Sequence, residues 1–137
     1  MKPLEGIKVI DLTHMLAGPY AGMVIADLGA EVVKVEPLHT GEMTRELLAK
    51  DPNNSFKGFG AYFLTLNRNK KSVSLDLKNQ DGLNVFYDLV KSADVVLNNF
   101  SAGVVKKLKI DFEHLRQINP KIIQNYISCS NQIIKNF

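Results

Sequence analysis

Between Ile7 and Pro37 the chain reads IKVIDLTHMLAGPYAGMVIADLGAEVVKVEP, a short apolar run, an amphipathic stretch and a second, valine-rich run in succession. Lys8 to Asp11 and Glu31 to Val35 have the composition of buried parallel strands. Between them Ala21, Val24, Ile25 and Leu28 recur at i, i+3, i+4 and i+7, which predicts a helix with that face on a sheet. Pro19 suits its first turn, and Gly29 ends it in a left-handed residue. The turn Thr13 to Gly18 then lies at the carboxyl end of a strand and leads into a helix N-terminus. Open α/β sheets bind ligands there, and a phosphate-bearing ligand is the first expectation.

Further along, Leu38 to Gly60 is broken by Gly41, Pro52, Gly58 and Gly60, which predicts a long excursion with room for a short helix from Met43 to Lys50. Tyr62 to Leu66 is a β-prone run, and Ser72 to Leu77 alternates like a strand at a sheet edge or near a site. Asn79 can cap a helix with Leu83, Phe86, Tyr87 and Val90 inward, followed by a buried strand from Ala93 to Leu97. After the polar turn Asn98 to Gly103, Val104 to Leu108 reads as a short helix. Asp111 caps another with Phe112, Leu115 and Ile118 inward, Pro120 stops it, and Lys121 to Ile127 is the last strand. Strands alternating with helices predict a doubly wound, mostly parallel α/β sheet in one domain.

Composition narrows the functional classes. A length of 137 residues, 45% of them hydrophobic and 23% charged, suits a single globular domain and argues against disorder. The net charge of +3 comes from basic residues scattered among 14 acidic ones, which disfavours a nucleic-acid partner. No apolar run approaches the roughly 20 residues of a membrane span, and MKPLEGIK lacks the apolar segment of a signal peptide. A cytoplasmic protein without a membrane partner is the expectation. Cys129 is the single cysteine, so an internal disulfide and a cysteine metal cluster are excluded, and a small apolar role is expected of it. His14, His39 and His114 lack metal-ligand spacing and read as structural or solvated. Gly18 and Gly22 do not complete GxGxxG, and neither GxxxxGK[ST] nor GxSxG occurs, so NAD, ATP and a serine nucleophile are unsupported. Without the glycine pattern Glu36 reads as an exposed structural acid.

Three polar turns, His14 to Gly18, Asn67 to Lys71 and Asn98 to Gly103, are expected to collect at one end of the sheet. Arg68, Lys70, Lys71, Lys106 and Lys107 would supply cations for phosphates there, the alternative being a solvated basic rim.

Four segments, DLTHMLAGPY, ADLGAEVVKVEP, LNRNKKSVSLDLK and ADVVLNNFSAGV, closely resemble, in this order, the N-terminal motifs of the family III CoA-transferases. That family includes formyl-CoA transferase, carnitine CoA-transferase and α-methylacyl-CoA racemase. The resemblance runs from about Pro3 to about Ser128. It implies an N-terminal, Rossmann-like CoA-binding domain over residues 1–128, incomplete relative to the family's interlocked-ring fold, with a divergent tail over 129–137. It also implies coenzyme A as ligand, no metal, an acyl-CoA and a carboxylic acid as substrates, and a homodimer of linked rings.

Carried over by position, the CoA contacts are Leu16 and Ala17 in the first turn, Leu75, Asp76, Leu77 and Lys78 in the third motif, and Asn99, Phe100 and Ser101 in the fourth. Lys107 stands where relatives often have an arginine that meets a CoA phosphate, keeping the charge but not the bidentate fork. Some members carry an arginine where this chain has Pro37, and that contact is lost.

Past the INPKII strand, relatives continue through an IS-G-F/Y-G type motif to a catalytic aspartate that attacks the acyl-CoA thioester. This chain runs Ile127, Ser128, Cys129, Ser130, Asn131 and ends at Phe137, so no catalytic residue is assigned and the chain alone is expected to be inactive. Ser130 to Phe137 is expected to be disordered rather than a short amphipathic segment. The resemblance therefore implies the N-terminal part of a CoA-transferase, the alternatives being a non-catalytic nucleotide-binding or interaction module and the racemase branch of the same family.

Overall fold

Five strands pair side by side into one parallel sheet in the computed structural model, which describes residues 1–127. In chain order the elements are β1 (Lys8–Asp11), α1 (Ala17–Asp27), β2 (Glu31–Glu36), a 3-10 turn (Met43–Arg45), a hairpin of β3 (Ser55–Phe56) and β4 (Phe59–Gly60), α2 (Ala61–Leu66), β5 (Lys70–Ser74), α3 (Gln80–Lys91), β6 (Val95–Asn98), α4 (Ala102–Lys107), α5 (Phe112–Ile118) and β7 (Ile123–Tyr126). The sheet order is β5-β2-β1-β6-β7, every pairing parallel, so the chain winds outward in both directions from β1 as the alternation of strands and helices predicts.

A parallel sheet needs cover on both faces, and strand alternation divides the core accordingly. Ile10, Leu12, Val35 and Val96 point to one face, where Phe86 and Val90 of α3 and Leu115 of α5 complete the larger cluster. Val9, Val32 and Leu97 point to the other, against Ala26 of α1 and Ala30. The caps form as the sequence indicates: the Asn79 side chain accepts from Asp81 N–H, and Asp111 accepts from His114 N–H.

Local expectations fail where tertiary packing overrides pattern. The buried face of α1 is Gly18, Pro19, Gly22, Met23 and Ala26, whereas Val24 and Leu28 are exposed. Small residues win because this helix sits close against polar side chains of the sheet. Tyr62 to Leu66 forms α2 rather than a strand; Phe63 packs near Phe59 in the preceding hairpin, and the Arg45 guanidinium lies 3.9 Å from the Phe63 ring centre. The proposed helix over Met43 to Lys50 contracts to the 3-10 turn, capped by the Glu42 carboxylate accepting from Thr44 N–H. Phe112 is 42% exposed, leaving Leu115 as the buried anchor of α5. β5 begins at Lys70, paired with Val32, and ends at Ser74. Residues 128–137, which include Cys129, the tail and the expected boundary at residue 128, lie outside the described residues.

Candidate functional site at the carboxyl end of the sheet

The register of β5 corrects one expectation at once. Asn67 to Lys71 lies at the amino end of the sheet, opposite the turns that follow β1 and β6, and its cations are already engaged. Arg68 pairs with Asp27 at 2.6 Å and Lys71 with Glu31 at 2.9 Å. The Lys70 ammonium donates to Asp11 Oδ2 and to the Pro19 carbonyl, both at 2.8 Å.

Lys70 belongs to a polar layer on the α1 face of the sheet. The strand period places Asp11, Lys34, Glu36 and Ser72 on the side of Val9 and Val32. Asp11 and Lys34 are buried, 3.7 Å apart, and Lys34 Nζ donates to the Thr13 carbonyl at 2.5 Å. The Thr13 hydroxyl and N–H both donate to Asp11 Oδ1. Buried charges persist only when paired and hydrogen-bonded, and here the pairing fixes the first residues after β1. Gly22 makes room for it: a Cβ there would stand 2.7 Å from Asp11 Oδ2 and 3.1 Å from Lys70 Nζ.

Glu36 is likewise buried at 2% exposure, not the exposed acid expected. Arg45 grips it with Nε at 2.6 Å and Nη2 at 2.7 Å, and the Ser72 hydroxyl and Glu42 N–H also donate to it. Burial alone would raise its pKa, but these hydrogen bonds and the Arg45 charge outweigh it and hold the carboxyl at about 2. The excursion after β2 is thereby fastened to the sheet.

The turns after β1 and β6 meet across the point where the winding reverses. Asn99 Oδ1 accepts from His14 N–H, and Asn99 Nδ2 donates to the His14 carbonyl. The His14 and Phe100 rings lie 5.6 Å apart. Together with Pro37, Gly41 and Met43 they line a cavity of about 540 Å³. Burial first, and then the Lys34 charge, lower the His14 pKa against the opposing effect of Glu42, Asp11 and Glu36, which favours the neutral ring. Leu16 is 45% exposed and Ala17 also faces outward, at the start of α1.

A second cavity of about 240 Å³ opens where α3 begins and α4 ends, lined by Leu77, Lys78, Gln80, Lys107 and Lys109 among others. Lys78 and Lys107, distant in sequence, converge there with Lys109, which the sequence pattern does not single out. Lys106 does not line this cavity. Leu75 packs against the larger core cluster, Asp76 Oδ1 accepts from Lys78 N–H at 2.9 Å, and Ser101 is exposed at the start of α4. Of the residues singled out, Leu77, Lys78 and Lys107 share one cavity and Asn99 and Phe100 the other; Leu75 and Asp76 shape the turn between β5 and α3.

The parallel winding and the site at its reversal define a doubly wound, Rossmann-like α/β protein. Residues 4–131 match the model of CoA-transferase family III, and the chain belongs to that family. The formyl-CoA:oxalate CoA-transferase of Afipia carboxidovorans is 41% identical over 122 residues, covering 89% of this chain and 28% of that protein. The succinyl-CoA:mesaconate CoA-transferase of Haloarcula hispanica is also 41% identical, over 127 residues, covering 93% of this chain and 32% of its own length. The crystal structure of Rv3272 from M. tuberculosis superposes with a TM-score of 0.83 at 40% identity, over 93% of this chain and 34% of that one. The chain thus spans about a third or less of the relatives named here.

Proposed function

We propose that this chain is the CoA-binding part of an enzyme that moves CoA between an acyl-CoA and a carboxylic acid. The observation that carries the reading is the convergence of Lys78, Lys107 and Lys109 on the N-terminal end of α3, a helix of 12 residues. Three ammonium groups and a positive helix end attract phosphate, and the CoA phosphates fit that chemistry. The thioester end of the ligand then runs toward the cavity of His14, Asn99 and Phe100, and Leu16 and Ala17, exposed at the start of α1, are the contacts the family resemblance adds beside it. α4 joins the two regions: Ser101 precedes it, Lys107 ends it, and its six residues span about 9 Å, well within the reach of pantetheine.

A His14 ring held toward its neutral form and the Phe100 ring give the thioester end a weakly polar wall. The roles supported for this chain are therefore binding and orientation, and the acyl-transferring carboxylate that the resemblance implies is assigned to no residue of it. The relatives named above are transferases, which favours that branch over the racemases. On the same reading the complete enzyme is a cytoplasmic homodimer. Among the described residues no helix is long and apolar enough to cross a membrane, and no group of three or more His, Cys, Asp or Glu side chains is placed to hold a metal ion.

Titration calorimetry with CoA and with pantetheine tests the proposal. CoA binding clearly tighter than pantetheine binding is expected, and equal affinities would remove the phosphate cavity from the account.

A further inference from the structure

Met15, in the turn between β1 and α1, has a backbone φ of 70°, the left-handed region that side chains with a Cβ disfavour. A carboxylate from a distant segment holds it there: Met15 N–H donates to Glu42 Oε1 at 2.8 Å. Glu42 is fully buried, and its other oxygen, Oε2, accepts from both the N–H and the hydroxyl of Thr44. Capping a three-residue 3-10 turn occupies that one oxygen and does not by itself justify burying a carboxylate. Oε1 is sent across to the first turn instead, while Glu42 N–H anchors the segment to Glu36 at 2.8 Å.

The preceding residue, His14, is clamped on both sides by Asn99, so Met15 is the joint at which the direction of α1 is set. If φ at Met15 relaxed to a negative value, the peptide planes entering Leu16 and Ala17 would rotate relative to His14, which lines the cavity. We propose that Glu42 is a positioning residue for CoA recognition: by holding Met15 left-handed it sets the direction in which Leu16, Ala17 and the start of α1 face the ligand. The inference rests on the CoA reading above and adds to it a part of the excursion that touches no ligand.

The test compares CoA affinity by calorimetry in the full chain, Glu42→Ala, and Glu42→Ala combined with Met15→Gly. Glu42→Ala removes the bond from Met15 together with the two from Thr44, and binding should weaken about tenfold or more in the single variant. Glycine adopts positive φ freely, so the double variant should recover most of that loss, a rescue that general destabilisation would not give. Wild-type affinity in Glu42→Ala, or a folded double variant no better than the single one, overturns the inference. Should Glu42→Ala fail to fold, Met15→Val, at a site 44% exposed, serves instead: a β-branched residue resists the left-handed region, and unchanged affinity would be contrary. If the parent chain binds no CoA, the functional reading fails, and the strut is judged by NMR alone. Backbone shifts and HN–Hα coupling in the parent chain must place Met15 at positive φ, and Glu42→Ala or Glu42→Gln must move it.

Discussion

Asn99 holds the main chain of His14 from both sides, accepting its N–H at 3.0 Å and donating to its carbonyl at 2.8 Å, across 85 residues of sequence. This pair joins the turns after β1 and β6 at the point where the sheet reverses its winding. Asn99→Ala removes both bonds and leaves part-buried backbone groups unpaired, so a loss of about 1–3 kcal/mol in chemical denaturation is expected. Asn99→Asp keeps the acceptor but sets a carboxylate against the His14 carbonyl, and should recover less than half of the loss.

The bidentate pair of Arg45 with Glu36 should contribute more than a surface ion pair, because Glu36 is buried and Arg45 is also stacked on Phe63. Arg45→Ala is expected to cost about 3 kcal/mol, since it strands a buried carboxylate. Arg45→Lys loses the fork and part of the stacking and should fall between the two. Urea denaturation of the three proteins gives the ranking.

Acid should unfold the chain in two stages. Glu36 has its folded pKa depressed to about 2 from an ordinary 4.5, so its contribution is complete above 4.5 and disappears as pH falls toward 2. That contribution is about 3 kcal/mol. His14 is also depressed: its neutral form is preferred in the fold, and stability falls as pH drops below the ordinary value of 6.5. Thermal melts from pH 8 to pH 2 should show a shallow decline first and a steeper one below 4.5. Glu36→Gln should flatten the steeper part, and an unchanged slope would deny Glu36 that role.

Two glycines in helices should respond in opposite ways to alanine. Gly22→Ala would drive a methyl group to 2.7 Å from Asp11 Oδ2, and about 1–3 kcal/mol of destabilisation is expected. Gly103, in α4, has open space at the Cβ position, so Gly103→Ala should be neutral or stabilise by up to about 1 kcal/mol. Melting temperatures of the two variants decide this directly.

Strand and helix order was legible because β1, β2 and β6 are apolar runs bounded by turn residues, and because Asn79 and Asp111 are capping side chains in their usual place. The orientation of α1 was not legible: its period pointed to Val24 and Leu28, while the sheet face beneath it carries Asp11 and Lys70, which only Gly22 lets the helix approach. Asn67 to Lys71 was misplaced for a related reason, since alternation from Ser72 onward concealed that Lys70 pairs with Val32 at the start of β5. Lys78 came from a family motif, Lys107 from both the basic residues near the turns and the resemblance, and Lys109 joined them only through the fold. Glu42 and Arg45 left no local signal, because their partners lie in β2 and the turn after β1.

The central claim, that one CoA lies along the carboxyl end of this sheet, is tested most directly by amide and side-chain NMR shifts of the full chain titrated with CoA and with pantetheine. CoA should shift Lys78, Gln80, Lys107 and Lys109 together with His14, Asn99 and Phe100, and pantetheine only the second group. Shifts confined to residues elsewhere, or a lysine group that responds equally to both ligands, would contradict the account.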